Sequence, residues 1–243
     1  MATKEQAIKL HDYHPSEGDL ETEILKGLSG DPKQLPPKYF YDKVGAELFD
    51  AITETPEYYP TRTEQTIMLD RAQEIAELVG PQASLIEFGS GSGLKTRILL
   101  ENLPELAAYV PVDISKKQLL DVAREFSGDY PNIEVLPVCA DFTKPFDLPS
   151  PRVMPLKNVV FFPGSTIGNF LPDHALELLK AMARIACKGG ALIIGVDLKK
   201  DEKILERAYN DEAGVTAQFN RNMLVLELLE IKISLELPIH ANE

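Results

Sequence analysis

Hydrophobic spacing divides the chain into a helical N-terminal part and a part in which strands and helices alternate. Up to residue 80, apolar residues recur at helical intervals, and three helices are predicted at 19–28, 44–53 and 63–79. The third would begin at the capping sequence 61–64 and present Ile67, Leu69, Ile75 and Leu78 on its apolar face. Because no strong strand signal is visible here, we expect residues 1–80 to form an N-terminal helical lobe.

From residue 84 short apolar runs alternate with amphipathic stretches. Strands are predicted at 84–88, 109–113, 133–138, 158–162 and 191–197. Helices are predicted between and after them, at 95–102, 116–126, 172–186 and 202–209. Such alternation is typical of a parallel sheet covered by helices on both faces, a Rossmann-like α/β fold. We assign residues 81–200 to this domain and 201–243 to a further, partial lobe.

Charge and composition restrict the partners. The formal net charge is −13 at pH 7, so the surface repels nucleic acid and anionic lipid, and neither is expected as a partner. No apolar run is long enough to cross a bilayer, and residues 1–11 lack the apolar stretch of a signal peptide, which predicts a cytoplasmic location. The cluster at 11–14 contains two histidines but no second set of ligands, so no metal is predicted. Nothing demands a dimer, and we expect a monomer.

The first predicted strand ends in a glycine-rich turn at residues 87–93. Glycines at Gly89, Gly91 and Gly93 allow a tight turn and close approach of a ligand to a helix N-terminus, although such turns also serve plain strand–helix packing. The dinucleotide pattern G-x-G-x-x-G is not met, because Leu94 stands where the third glycine would be. Glu87, at the end of the strand, suits a cationic or sugar-bearing ligand better than a pyrophosphate.

Ligand-compatible groups follow the next three strands as well, where ligands of parallel α/β sheets bind. Asp113 lies 20 residues past Gly93, about the offset at which a carboxylate binds ribose hydroxyls, and its alternative role is a helix cap. Asp141 and Phe142 suit an adenine amino group and ring, or form a turn with a core aromatic. The polar loop 163–170 follows the fourth strand and suits a substrate.

Several segments together resemble a known family, the histidine-specific Nα-methyltransferases of ergothioneine biosynthesis. The segments that carry the resemblance are 39–42, 56–64, 87–91 with 95–97, 163–169, 208–211 and 214–222. The similarity runs from about His14 to Leu224, and the tyrosine-rich segments are more specific than the glycine turn. It implies a class I methyltransferase sheet and S-adenosylmethionine as the methyl donor.

The resemblance also implies a reaction and a set of site residues. The reaction is trimethylation of the α-amino group of L-histidine to hercynine, by in-line displacement at an activated methyl carbon. The residues implied for the cofactor are Gly89, Lys95, Asp113, Asp141 and Phe142. Those implied for histidine and catalysis are Tyr58, Asn169 and Tyr209, with Tyr41 lining the pocket near the amine. Apart from the resemblance, the two N-terminal tyrosines could equally be core aromatics and the lysine a solvated helix residue.

Three alternatives stay open from the sequence. Related enzymes methylate the amine of an indole amino acid, and the sequence does not show which ring the substrate pocket accepts. A nicotinamide oxidoreductase is compatible with Asp113, but Leu94 and the lack of a hydride-transfer dyad weigh against it. A protein that binds S-adenosylmethionine without catalysis is the third.

The segment from Val225 to Glu243 departs from the family. Relatives continue there for several dozen residues, which supply a Glu and a Ser to the histidine pocket and two strands to the sheet. Here the alternation of Ile231, Ile233, Leu235 and Leu237 predicts one strand at most. We therefore expect an incomplete substrate lobe, intact cofactor binding and slow methylation of histidine.

Overall fold

The structure is a computed structural model that describes residues 8–14, 20–91 and 93–231. It contains two compact units. The first comprises residues 1–15 and 60–199, and the second comprises 16–59 and 200–243. This division differs from the three sequential parts predicted above, because the long helix expected in the N-terminal lobe belongs to the first unit.

A parallel sheet forms the first unit. Its strands are β1 (His11–Asp12), β2 (Ala83–Phe88), β3 (Ala108–Asp113), β4 (Glu134–Val135), β5 (Val138–Cys139), β6 (Lys157–Phe162) and β7 (Ala191–Ile194). The order is β1-β5-β3-β2-β6-β7, with β4 also paired to β3, and every pairing among the described residues is parallel. All six residues of β2 are buried, as expected for a strand covered on both faces. The predicted Rossmann-like α/β fold is confirmed.

The helices follow the predicted alternation, and the ends of most of them are shifted. They are α1 (Leu20–Ser29), α2 (Lys43–Thr53), α3 (Tyr59–Val79), α4 (Leu94–Leu100), α5 (Lys116–Asp129), α6 (Pro172–Ala186), α7 (Glu202–Ala208) and α8 (Val215–Ile231). Short 3-10 helices lie at Pro37–Phe40 and Thr166–Asn169. Helix α8 and strand β1 were not predicted, and Ile231 is helical, whereas the sequence predicted it in a strand. Ile233, Leu235 and Leu237 lie outside the described residues.

The predicted apolar face of α3 is wrong at three of its four residues. Ile67, Leu69 and Leu78 are 55%, 64% and 72% exposed, whereas Met68 and Ala72 are buried. The buried stripe continues through Ile75, Ala76 and Val79, which pack into the core on one side of the sheet. Contact with the sheet therefore selects a face that includes small residues, and the largest side chains of the helix do not mark it.

Two hydrophobic clusters cover the two sides of the sheet. Leu85 of β2 belongs to the cluster that contains Met68, Leu99 and Phe126, which come from α3, α4 and α5. The next residue, Ile86, belongs to the cluster on the other side, which contains residues of α6. The side chains of β2 therefore alternate between the two faces of the sheet. The parallel pairing of β2 with β3 and β6 places the carboxyl ends of all three strands at one edge.

The predicted strand at 133–138 is split into two. Residues 136 and 137 separate β4 from β5, and Pro137 has no backbone N–H to continue a ladder. The carbonyl of Pro137 instead accepts a hydrogen bond of 2.9 Å from the backbone N–H of His11, which begins the edge strand β1.

The second unit has an aromatic core. Ile52, Tyr58 and Phe219 are buried, and Phe40, Tyr41 and Phe49 are among the residues packed against them. Helix α2 begins at Asp42, whose carboxylate accepts a hydrogen bond of 2.7 Å from the backbone N–H of Gly45. Among the described residues of both units, no helix is long and apolar enough to span a membrane.

Candidate cofactor and substrate sites

The turn between β2 and α4 is held open by three glycines in left-handed conformations. The φ angles of Gly89, Gly91 and Gly93 are 76°, 47° and 70°. A Cβ on Gly93 would lie 2.6 Å from a ring carbon of Phe126, whereas a Cβ on Gly91 would meet nothing within 4 Å. Gly93 is therefore required by packing against α5, while Gly91 borders open space where a ligand can approach the backbone.

Ser90 gives this turn an unused polar group. The residue is 4% exposed, and its hydroxyl has no hydrogen-bond partner among the described residues. Buried hydroxyls are nearly always paired, so a polar ligand atom at the turn would complete this one. The free N–H groups at the start of α4 add a preference for negatively charged groups.

The carboxylate of Glu87 is bound inside the protein, whereas the sequence suggested a role toward a ligand. It is 2% exposed, and both carboxylate oxygens accept hydrogen bonds of 2.7 Å from the hydroxyl of Thr96. The hydroxyl of Tyr109 donates to the same carboxylate. Burial raises the pKa of Glu87 to about 7, although these two hydroxyls oppose the shift. Glu87 is thus an internal support beneath the glycine turn.

Asp113 follows β3 and is bound to the glycine turn. Its carboxylate accepts a hydrogen bond of 2.9 Å from the backbone N–H of Ser115, and the amides of Ser90 and Gly91 also contribute. Burial raises the pKa of the Asp113 carboxyl, and the amides partly offset that effect. A carboxylate has about four acceptor sites, and the backbone amides of Ser115, Gly91, Ile114 and Ser90 all contribute to this one. The structure therefore shows a turn-forming role, and the predicted cofactor role stays a prediction.

Asp141 and Phe142 follow β5, and their observed contacts match the simpler alternative. The carboxylate of Asp141 accepts hydrogen bonds from the backbone N–H of Thr143 at 3.0 Å and from its hydroxyl at 2.5 Å. The ring of Phe142 stacks on Phe88 with a centroid distance of 5.2 Å. A Cβ on Gly89 would lie 3.9 Å from the Phe142 ring, so this aromatic borders the glycine turn. The contacts of Asp141 and Phe142 with adenine stay predictions.

Lys95 is not a solvated helix residue. Its Nζ lies 2.5 Å from the carboxylate of Glu64, and the two side chains are 19% and 17% exposed. The same carboxylate accepts hydrogen bonds of 2.8 and 2.9 Å from the backbone N–H of Gly164. Glu64 was predicted to cap α3, but that helix begins at Tyr59, and the carboxylate binds residues at the ends of other elements.

The loop after β6 carries the predicted substrate residue Asn169. Gly164 and Ser165 have φ angles of 84° and 57°, and a left-handed conformation at a serine is uncommon. The hydroxyl of Ser165 accepts a hydrogen bond of 2.9 Å from the backbone N–H of Asp197. Asn169 ends the short 3-10 helix and is exposed. The loop is therefore fixed at its first residues and presents its amide at the surface.

In the second unit the structure brings together the three predicted tyrosines. Tyr58 meets Tyr209 edge to face at a centroid distance of 5.7 Å. Phe49 lies between the other pair, 6.1 Å from Tyr58 and 5.6 Å from Tyr41. Tyr58 is 5% exposed and Tyr209 is 53% exposed, so the cluster has a buried side and an open side. We call these four residues and Phe219 the aromatic cluster.

Two distant motifs of the sequence meet in this cluster. Phe40 stacks on Phe219 with a centroid distance of 4.8 Å, and the side-chain amide of Asn222 donates a hydrogen bond of 2.7 Å to Asp42. Asp211 is buried and accepts hydrogen bonds of 2.8 Å from the backbone N–H groups of Val215 and Thr216, which caps α8. These contacts explain why polar residues flank the tyrosines in both motifs.

Sequence reasoning missed several residues that shape these regions. Phe49 and Phe219 were not singled out, because an aromatic residue within a helix is usually assigned to a core. Glu64 was assigned to a local cap, since Thr61 and Glu64 stand in capping spacing. No local signal indicates that Gly164, 100 residues further along the chain, is its partner.

The parallel sheet covered by helices, together with the family match described below, gives the class of protein, an S-adenosylmethionine-dependent methyltransferase of class I. The fold is similar to that of the plantazolicin methyltransferase BpumL, solved with a triazolic desmethylPZN analog and S-adenosylhomocysteine. The TM-score is 0.50 at 15% identity, over 90% of this chain and 78% of that one.

The family is narrower than the fold. Residues 20–233 match the model of the family described as "Histidine-specific methyltransferase, SAM-dependent", and the chain belongs to this family. It is 42% identical over 221 residues to the histidine N-alpha-methyltransferase of Mycolicibacterium smegmatis, covering 90% of this chain and 68% of the relative. It is 42% identical over 211 residues to that of Mycobacterium tuberculosis, covering 85% and 64%. The chain thus spans about two thirds of these relatives. The predicted family and cofactor are confirmed.

Proposed function

We propose that this protein methylates the α-amino group of L-histidine, using S-adenosylmethionine, and carries the reaction to the trimethylated product hercynine. The observation that carries the proposal is the match of residues 20–233 to a histidine-specific family. The two mycobacterial relatives, at 42% identity, bear the same activity in their names.

The residues around the glycine turn fit the cofactor. Gly91 leaves open space beside the backbone, Ser90 has a buried hydroxyl without a partner among the described residues, and Asp113 binds amides of the same turn. In the proposal these groups hold the cofactor together with Gly89, Lys95, Asp141 and Phe142. Bound there, S-adenosylmethionine supplies a methyl carbon that is activated by its sulfonium. The protein then needs to position the acceptor, and an additional metal or strong base is not required.

The aromatic cluster supports the binding of histidine. We assign Tyr58 and Tyr209 to the substrate, with Tyr41 close to the amine and Asn169 as a further hydrogen-bonding group. Tyr58 and Tyr209 are in ring contact, which limits their rotation and orients their hydroxyls. An α-amino group titrates near pH 8, so a neutral amine is accessible at neutral pH without a strong base.

Aromatic faces also suit the later steps of the reaction. Each added methyl group increases the bulk of the amine, and the final product is a quaternary ammonium. Such cations bind the faces of aromatic rings within about 6 Å of the centroid. The half-exposed ring of Tyr209 offers a face of this kind at the open side of the aromatic cluster.

The family description also bears on the alternative acceptor. An indole amino acid stays possible on the residues alone, but the matched family is described as histidine-specific, which favours histidine. A small-molecule substrate follows from the family. A monomeric state, a cytoplasmic location and the absence of nucleic-acid or membrane partners stay predictions from the sequence.

The direct test is a methyl-transfer assay with each free amino acid, read by mass spectrometry. Histidine should gain one, two and then three methyl groups, and tryptophan should gain none under the same conditions. Histidine methyl ester, which keeps the imidazole and the amine but has no free carboxylate, and imidazole acetate, which has no α-amine, serve as controls for recognition of the α-amino acid. Methylated tryptophan with unmodified histidine would refute the assignment. Binding of S-adenosylhomocysteine without any methylated product would instead identify a binding protein.

A further inference from the structure

Glu64 joins three parts of the first unit through one carboxylate. It lies in α3, it pairs with Lys95 in the first turn of α4, and it accepts the backbone N–H of Gly164 after β6. Both side chains of the ion pair are less than one fifth exposed. The Nζ of Lys95 would also lie 3.3 Å from a Cβ on Gly164, so the ammonium lies beside the start of the loop.

The backbone after β7 closes around the same carboxylate. A Cβ on Gly195 would meet Oε1 of Glu64 at a distance far below any possible contact, and would lie 3.1 Å from the nitrogen of Gly164. Gly195 is not one of the described glycines that have a left-handed φ angle. A glycine at position 195 is therefore required by the space that Glu64 occupies, and its backbone conformation would accept other residues.

The loop that Glu64 binds has a strained residue near its start and ends at Asn169, the residue proposed to bind histidine. Ser165, next to Gly164, has a left-handed φ of 57°, and strained residues persist only where their surroundings hold them. Five residues after Gly164, the same loop presents Asn169 at its surface. The hydrogen bond from the N–H of Gly164 to Glu64 therefore fixes the loop directly before its strained residue, Ser165.

We propose that Glu64 is a positioning residue for methyl transfer: it holds the loop 164–169 and the ammonium of Lys95 in one arrangement, and Gly195 is the glycine that makes room for it. The inference rests on the proposed function, which assigns Asn169 to histidine and Lys95 to the cofactor. Glu64 itself does not contact either ligand in this account. Its effect reaches the reaction through the two groups that it holds.

A set of variants separates this role from a general structural one. Glu64→Ala removes both contacts, whereas Glu64→Gln keeps an oxygen acceptor for the N–H of Gly164. Gly195→Ala places a methyl group where the carboxylate lies, and Glu64→Ala with Gly195→Ala tests whether the two changes act through the same contact. Glu77→Ala is the matched control, since Glu77 is an exposed glutamate on the same helix. Each variant is measured for its histidine kcat and KM, its dissociation constant for S-adenosylhomocysteine and its Tm.

Glu64→Ala should lower kcat/KM for histidine at least about tenfold, as expected for the loss of one hydrogen bond to a charged group. Glu64→Gln should recover the larger part of that loss. Gly195→Ala should resemble Glu64→Ala, and the double variant should be no worse than either single one. Additive losses in the double variant, or equal losses in the Gln and Ala variants, would overturn the proposal.

The coupling between positions 64 and 195 can also be measured without histidine. Tm and S-adenosylhomocysteine affinity should show the same lack of additivity. If the wild-type protein methylates no histidine while this coupling is present, the proposed function fails and the arrangement around Glu64 stands. If histidine is methylated but the coupling is absent, the inference about Glu64 fails alone.

Discussion

Each of the two candidate regions is stabilised internally by a different kind of interaction. At the carboxyl edge of the sheet, backbone amides and left-handed turns fix the predicted cofactor residues, as the contacts of Asp113 with the glycine turn show. In the aromatic cluster, packing of rings fixes the predicted substrate residues, and Tyr58 is buried against Phe49 and Tyr209. Backbone hydrogen bonds preserve one geometry, whereas ring packing lets the shape of a pocket change with single side chains.

This difference predicts which region determines the choice of acceptor and which determines the affinity for the cofactor. Changes in the aromatic cluster should alter stability and the acceptor while cofactor affinity stays constant. Changes at the sheet edge should alter cofactor affinity or the turn that supports it. The following variants test that division, and the first has the largest expected effect.

Phe219→Ala should destabilise the protein by about 3–5 kcal/mol, the usual range for removal of a buried phenylalanine. Phe219 is 8% exposed and contacts the rings of Phe40, Tyr41 and Phe49. Denaturant unfolding measures the loss. In the protein that remains folded, the affinity for S-adenosylhomocysteine should be unchanged, and a parallel loss of that affinity would show that the two regions are not separate.

Glu87→Gln should change how stability depends on pH. Burial raises the pKa of Glu87 from 4.5 to about 7 in the folded protein, so the unfolded chain ionises first as the pH rises. The stabilising contribution of protonated Glu87 is fully present below about pH 4.5 and is lost by about pH 7.

The difference in free energy of unfolding between wild type and Glu87→Gln should therefore fall by about 3 kcal/mol from pH 4 to pH 8, at about 1.4 kcal/mol per pKa unit. Urea unfolding at several pH values measures it, and other titrating groups cancel in the difference. A constant difference would mean that Glu87 is ionised in the folded state throughout this range.

Gly93→Ala should cost about 2 kcal/mol, because the new methyl group overlaps the ring of Phe126 and the φ angle of 70° disfavours a side chain. Gly128→Ala is the matched control within α5, since a Cβ there would meet nothing within 4 Å. The control should be neutral or slightly stabilising in thermal unfolding. Equal Tm values for the two variants would refute the packing role of Gly93.

Tyr58→Phe should raise the KM for histidine about fivefold, which corresponds to about 1 kcal/mol for one hydrogen bond. Tyr39→Phe is the control, because the hydroxyl of Tyr39 donates to Glu23 at 2.7 Å and has no assigned role in the reaction. Steady-state kinetics at saturating cofactor measures both. A KM that rises equally in both variants would assign the hydroxyl of Tyr58 to the fold.

Features with a local cause could be predicted from the sequence. Helix α6 has the predicted bounds, since a proline at its start and an apolar periodicity up to Ala186 determine them. The glycine turn after β2 was predicted from its glycines, and all three have left-handed φ angles. The family was predicted because its segments are specific over most of the chain.

Features with a distant cause could not be predicted. The sheet selects the buried face of α3, a loop 100 residues away binds Glu64, and the hydroxyl of Tyr109 turns Glu87 inward. In each case the residue type fits a common local role, such as a cap or a ligand group. The contact that decides its role comes from another element.

The dissociation constant of S-adenosylhomocysteine, measured by calorimetry on Asp113→Asn and Tyr58→Phe, tests the division between the two regions most directly. Asp113→Asn should weaken binding about tenfold or more, because a charged acceptor for the ribose hydroxyls is lost. Tyr58→Phe and the exposed control Asp121→Asn should bind as the wild type does. Unchanged affinity in a folded Asp113→Asn protein would show that this carboxylate only shapes the turn, and an equal loss in Tyr58→Phe would contradict the separation of cofactor and substrate binding.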